Sequence, residues 1–66
     1  MRVFINGEVK EIAGEVSLIE LLAKFSLPRE RVAVELNQAV VRKKDWETVR
    51  VKDADKIEIV HFVGGG

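Results

Sequence analysis

The sequence predicts an α+β domain: a mixed sheet of four to five strands curled over one main helix, with a flexible C-terminal tail. Three observations carry this. Two short alternating segments flank Asn6-Gly7, a helix-start pattern at Ser17 opens an apolar stripe, and a final alternating segment runs directly into Val63-Gly64-Gly65-Gly66.

In the first segment Val3 and Ile5 fall on one side and Arg2 and Phe4 on the other. Asn6-Gly7 then supplies the two residues that most readily take positive φ, as a two-residue hairpin turn requires. Glu8 to Ile12 is expected to return antiparallel. After a loop at Ala13-Gly14, Ser17 and Glu20 have capping-box spacing, each side chain satisfying a backbone N–H that a starting helix leaves free. Leu18, Leu21, Leu22 and Phe25 follow at i, i+3, i+4 and i+7, one stripe that needs a sheet against it. Pro28 comes soon after and is expected to confirm the stop.

Val32, Val34 and Leu36 alternate with Ala33 and Glu35 as a third strand, ended by the turn-former Asn37. Ala39 to Val41 reads either as its continuation or as its partner. From Arg42 to Lys56 no period holds: a basic triplet, Trp46, then Val49 and Val51 before the turn-like Asp53-Ala54-Asp55. The last strand places Ile57 and Ile59 on one face and Glu58, Val60 and Phe62 on the other. Pairing it with the first strand gives a ubiquitin-like β-grasp over residues 1–63, with residues 64–66 as a flexible glycine tail. The expected core is Val3, Ile5, Leu18, Leu21, Leu22, Phe25, Val34, Leu36, Ile57 and Ile59, with Trp46 capping its edge.

The chain has 66 residues, 47% apolar and 33% charged. That is one folded domain near the size where a single core is marginal, with little room for an enclosed active site. Eleven basic and eleven acidic residues cancel, so no net electrostatic footprint points to nucleic acid or an anionic membrane. Cysteine is absent, which excludes disulfides and any side-chain thiol as carrier. No apolar run is long enough to span a bilayer and the start lacks a signal-peptide pattern; a cytoplasmic location is expected. His61 has no second histidine or cysteine to complete a metal site, so no metal and no bound cofactor are expected. Arg42, Lys43 and Lys44 lack the interleaved aromatics of a nucleic-acid contact and read as a solvated loop.

Three successive glycines are costly to order and have no side chain to pack. Their use is thinness: three extended residues reach about 10 Å at roughly 3.3–3.6 Å each, enough to carry an end group into a narrow channel of another protein. The α-carboxylate of Gly66 is therefore the expected reactive group, with Gly64 and Gly65 entering the partner's active site. The bland alternative is fraying or an appended remnant.

Several blocks resemble a known family, the thiocarboxylate-forming sulfur carriers of thiamine biosynthesis. They are Ile5-Asn6-Gly7-Glu8, Ser17-Leu18-Ile19-Glu20-Leu21-Leu22, Val34-Glu35-Leu36-Asn37, Trp46, and Asp55-Lys56-Ile57-Glu58-Ile59-Val60 through Gly64-Gly65-Gly66. One departure is Ala54, where the resemblance leads us to expect glycine. The resemblance implies a chain that is not an enzyme. A ubiquitin-activating-type adenylyltransferase would use ATP to adenylate Gly66, and a persulfide donor would convert it to a thiocarboxylate. A thiazole synthase would then receive the sulfur. A carrier for molybdopterin or tRNA thiolation, a ubiquitin-like modifier joined to lysines through Gly66, and a passive β-grasp module are the alternatives.

A partner must dock near the tail. Phe4, Val60 and Phe62, on the outward side of the first and last strands, are the expected surface, with Phe4 beside the other two. Packing under a loop or self-association are the competing uses of these residues.

Overall fold

A computed structural model describes residues 1–62; Val63 and the expected tail, Gly64, Gly65 and Gly66, lie outside them. The Asn6-Gly7 turn has φ of 48° and 83°, the left-handed pair of a type I′ hairpin whose twist matches its strands. It joins β1 (Arg2–Ile5) to β2 (Glu8–Glu11), with Ile5 opposite Glu8. A two-residue strand, β3 (Val16–Ser17), leads into α1 (Leu18–Lys24).

The capping box closes at both ends: the Glu20 N–H donates to Ser17 Oγ at 3.2 Å and the Ser17 N–H to Glu20 Oε1 at 2.8 Å. Hydrogen bonding to the Ser17 amide first, and to its side chain second, holds the exposed Glu20 carboxyl below its ordinary value of 4.5; Arg50 helps and desolvation opposes. The helix stops ahead of Pro28, as expected. Phe25 is its C-cap, Ser26 turns left-handed at φ 54°, and the Ser26 and Leu27 amides donate back to the Ala23 and Leu22 carbonyls at 3.1 and 2.8 Å. This is a Schellman closure with serine where glycine usually sits. Pro28 lies beyond a helix already ended.

β4 (Val32–Leu36) and β5 (Ala39–Val41) form a second hairpin, Leu36 facing Ala39. Ala39 to Val41 is thus a partner strand. Asn37 and Gln38 make its turn at φ 51° and 73°, a type I′ pair again, with glutamine in a conformation that lacks its usual residue. A 3₁₀ turn, Lys43–Asp45, leads to β6 (Arg50–Val51), and β7 (Lys56–His61) completes the sheet. Strand order is β2-β1-β7-β4-β5, with β1 and β7 parallel and the other pairs antiparallel. β3 and β6 make a separate antiparallel pair. A mixed five-stranded sheet over one helix is the predicted β-grasp arrangement.

Val3, Ile5, Val34 and Ile57 from the sheet meet Leu18, Leu21 and Leu22 from α1 in the core, joined by Ile12, Trp46 and Val51. Two expectations change. Phe25, Leu36 and Ile59 are only partly buried at the margin. Trp46 does not cap an edge: it is 2% exposed, its Nε1 donates to the Val41 carbonyl at 2.9 Å, and its own carbonyl accepts from Ile19. The stretch without a period is therefore pinned on the helix side by long-range bonds. Ala54, in the turn before β7, takes φ 70° while the Asp55 N–H closes on the Lys52 carbonyl at 3.1 Å. The missing glycine is replaced by an alanine held in the left-handed region.

Candidate functional site

β7 is the central strand and the one that leads toward the glycines. The Asn6 N–H donates to the Ile57 carbonyl at 2.9 Å, and Asn6 Oδ1 accepts from the Ile59 N–H at 2.7 Å. The side chain thus continues the ladder one step past the end of β1. On the other edge β7 pairs with β4 out to His61 opposite Val32, and the Phe62 N–H reaches the Arg31 carbonyl at 2.8 Å. The strand is held on a bonded track up to the last described residue. Nothing in the sequence pattern distinguished Asn6 as more than a turn residue.

The face of the sheet turned away from α1 follows from strand alternation. It carries Phe4 and Arg2 on β1, Val9 on β2, Lys56, Glu58 and Val60 on β7, Ala33 and Glu35 on β4, and Val40 on β5, with Phe62 next in line after β7. Val60 and Phe62 are 50% and 59% exposed, and Val9 and Val40 are exposed as well. These two valines were not singled out from the sequence; Val40 becomes visible only once Asn37-Gln38 is known to be a two-residue turn.

The expected grouping of Phe4 with Val60 and Phe62 does not occur. Phe4 lies opposite Lys56 on β7 and opposite Val9 on β2. Val60 is four residues further along the strand, about 13 Å away at roughly 3.3 Å per residue. Alternation fixes the face of a residue; a parallel register with no tight turn to set it is not readable from either strand alone. The outer face therefore has one apolar group at Phe4 and Val9 and another at Val60, Ala33 and Phe62. Between them Glu35 and Glu58 stand directly opposite each other.

His61 is exposed on the helix side of β7. No group of three or more His, Cys, Asp or Glu that could hold a metal occurs among the described residues, and no helix there is long and apolar enough to cross a membrane. Among the described residues, one surface hollow is lined by Ile5, Asn6, Glu8, Lys10, Phe25 and Leu27 and another by Arg2, Phe4, Asp53 and Ala54. Neither brings a nucleophile together with a base.

Comparison with known proteins narrows the reading. Residues 3–66 match the model of the ThiS family. The sulfur carrier protein ThiS of Bacillus subtilis is 41% identical over 94% of this chain and 96% of its own. Thiazole synthases of Paramagnetospirillum magneticum and Magnetococcus marinus are each 39% identical over the whole chain, which spans 20% of their length. The crystal structure of a thiamine biosynthesis protein (ThiS) from Geobacter metallireducens superposes with a TM-score of 0.89 at 33% identity, each chain covered completely. A match that takes in the sheet, the helix and the glycines together, at full length in a solved relative, places the chain in the ThiS family.

Proposed function

We propose that the chain is a sulfur carrier for the thiazole of thiamine, acting through the α-carboxylate of Gly66. Support comes from the family match, which runs through the glycines, and from a relative of the same length that is named a sulfur carrier. The observation that carries most weight is geometric. β7 is bonded on both edges and then on one as far as Phe62, so the approach to the glycines is held on a fixed track, and among the described residues the two surface hollows bring no nucleophile to a base.

A free carboxylate, with an ordinary pKa near 3.3–3.7, is an anion at neutral pH and a poor electrophile. An ATP-using, ubiquitin-activating-type adenylyltransferase would supply the activation. The Gly66 carboxylate oxygen attacks the α-phosphorus of ATP, pyrophosphate leaves, and the carbonyl becomes an acyl adenylate. The terminal sulfur of a persulfide attacks that carbonyl and AMP departs with the bonding pair. Reductive cleavage of the resulting S–S bond by a thiol leaves a thiocarboxylate on Gly66. Gly64 and Gly65 give the arm its narrow cross-section.

The acceptor is a thiazole synthase on this reading, supported by two proteins of that name that contain a stretch alignable with the whole chain. Val60 and Phe62 form the nearer part of the docking surface, and Phe4 with Val9 a separate outlying part. The chain binds no cofactor itself, and it works in the cytoplasm alongside its enzymes.

Intact mass spectrometry after incubation with ATP, the activating enzyme and a sulfur donor tests this. Replacement of one oxygen by sulfur is expected. Isopeptide adducts would make the chain a protein modifier, and an unchanged mass with an activator proven competent on another carrier would leave a passive module. Transfer to a thiazole synthase, rather than to a molybdopterin- or tRNA-thiolating acceptor, fixes the pathway.

A further inference from the structure

The open face holds one pair for which the fold has no use. Glu35 on β4 and Glu58 on β7 are direct cross-strand neighbours, with backbones about 4.5–5.5 Å apart, and like charges so placed destabilise a sheet. The ion pairs among the described residues, Lys10 with Glu8 and Arg50 with Glu20, include neither. The other charges that the strands place on this face are Glu11 on β2, Arg2 on β1 and Lys56 on β7, with Arg42 next in line after β5, level with Ala33. Lys56 is two residues before Glu58, level with Phe4, and forms no ion pair with it. Toward the tail the surface beside the two carboxylates is apolar, while Lys56, Asn6 and Asn37 border them on the other side. Val40 is paired with Glu35, and Ala33 and Val60 form the next row toward the tail, with Val40 67% and Val60 50% exposed.

We propose that this face docks the enzyme that activates the terminal carboxylate, and that the Glu35–Glu58 pair receives an arginine of that enzyme. The proposal rests on the carrier reading above. A guanidinium offers a planar fork of donors that suits two carboxylates at once. Val40, Ala33 and Val60 would shield such a contact from water on the tail side and so strengthen it. The repulsion between the two glutamates is present in the free chain and relieved only in the complex, which adds to the preference for the bound state. Charge also decides among occupants. A dimer centred on this patch would bring four carboxylates together, and nucleic acid or an anionic bilayer would meet its own sign.

The test uses the full chain and its activating enzyme in ATP–pyrophosphate exchange. The double substitution Glu35→Gln with Glu58→Gln is expected to raise the KM for the chain about tenfold, a loss of roughly 1.4 kcal/mol. It should also flatten the rise of KM with ionic strength and leave the thermal midpoint equal to or above that of the parent. Glu47→Gln, which removes an exposed carboxylate from the segment packed on the helix side, is expected to leave KM unaltered. An unaltered KM and salt dependence in the double variant, with the parent chain activated normally, would overturn the arginine contact. A lowered midpoint would show that the carboxylates serve the fold, and self-association of the parent through this face would assign it to a second copy; either overturns the proposal. If the parent chain is not adenylated at all, the carrier reading itself fails and the docking inference falls with it.

Discussion

The two faces of the one sheet obey different rules. On the side toward α1, Val3, Ile5, Val34 and Ile57 are buried against Leu18, Leu21 and Leu22, and no buried side-chain nitrogen or oxygen among the described residues lacks a hydrogen bond. On the other side Val60 and Phe62 are at least half exposed and two glutamates oppose each other across strands. The first face is what a small domain needs to stay folded. The second combines a like-charge pair of the kind that destabilises a sheet with exposed apolar side chains of the kind that mark contact surfaces.

The sharpest way to break this contrast is to truncate one large side chain on each face. Leu21→Ala should cost about 2–5 kcal/mol, the range for emptying a buried leucine site, and lower the denaturant midpoint accordingly. Phe62→Ala should change stability by no more than about 0.5 kcal/mol, as surface substitutions do, while slowing adenylation of Gly66 about tenfold, or roughly 1.4 kcal/mol. A Phe62→Ala chain that unfolds early, or is activated at the parent rate, would erase the distinction between the faces.

Smaller effects sharpen it. Ser26 and Ala54 both sit at positive φ, at a cost of roughly 1 kcal/mol each relative to glycine. Ser26→Gly and Ala54→Gly are each expected to raise the midpoint by up to about 1 kcal/mol without touching the outer face, and a fall in either would mean the side chain is needed where it stands. The smallest effect is electrostatic. Because the Glu20 carboxyl is held below its ordinary value of 4.5 by the Ser17 bonds, its contribution is present above pH 4.5 and is lost as pH falls through the depressed folded value. Glu20→Gln keeps the capping acceptor and removes the titration. The acid limb of stability against pH should therefore be shallower in that variant below pH 4.5; an identical limb would assign the acid sensitivity to other carboxylates.

Much of this architecture was legible because it is locally encoded. Asn6-Gly7 demands its turn, Ser17 with Glu20 starts a helix on any chain, and the stripe from Leu18 to Leu22 faces the core as spaced. What could not be read was set by partners distant in sequence. Trp46 and Val51 are buried through contacts that reach Ile19, Val41 and Val16, none of which leaves a local period between residues 42 and 56. The second hairpin turn hides behind Gln38, a residue that does not announce positive φ. The error at Phe4 was one of register: its face was right and its neighbours were wrong. Of the candidate site, the sequence displayed the glycines and the outward aromatics, but the Asn6 clamp on Ile59 and the Glu35–Glu58 opposition appear only when β1, β4 and β7 are brought side by side.

The position of β7 has a consequence for synthesis. It enters between β1 and β4, so before residues 56–61 are made the two hairpins have no strand to join them. Closing so long a loop comes late in assembly. The segment that completes the sheet is also the one that leads toward the glycines, so the body and the approach to them are finished in the same step.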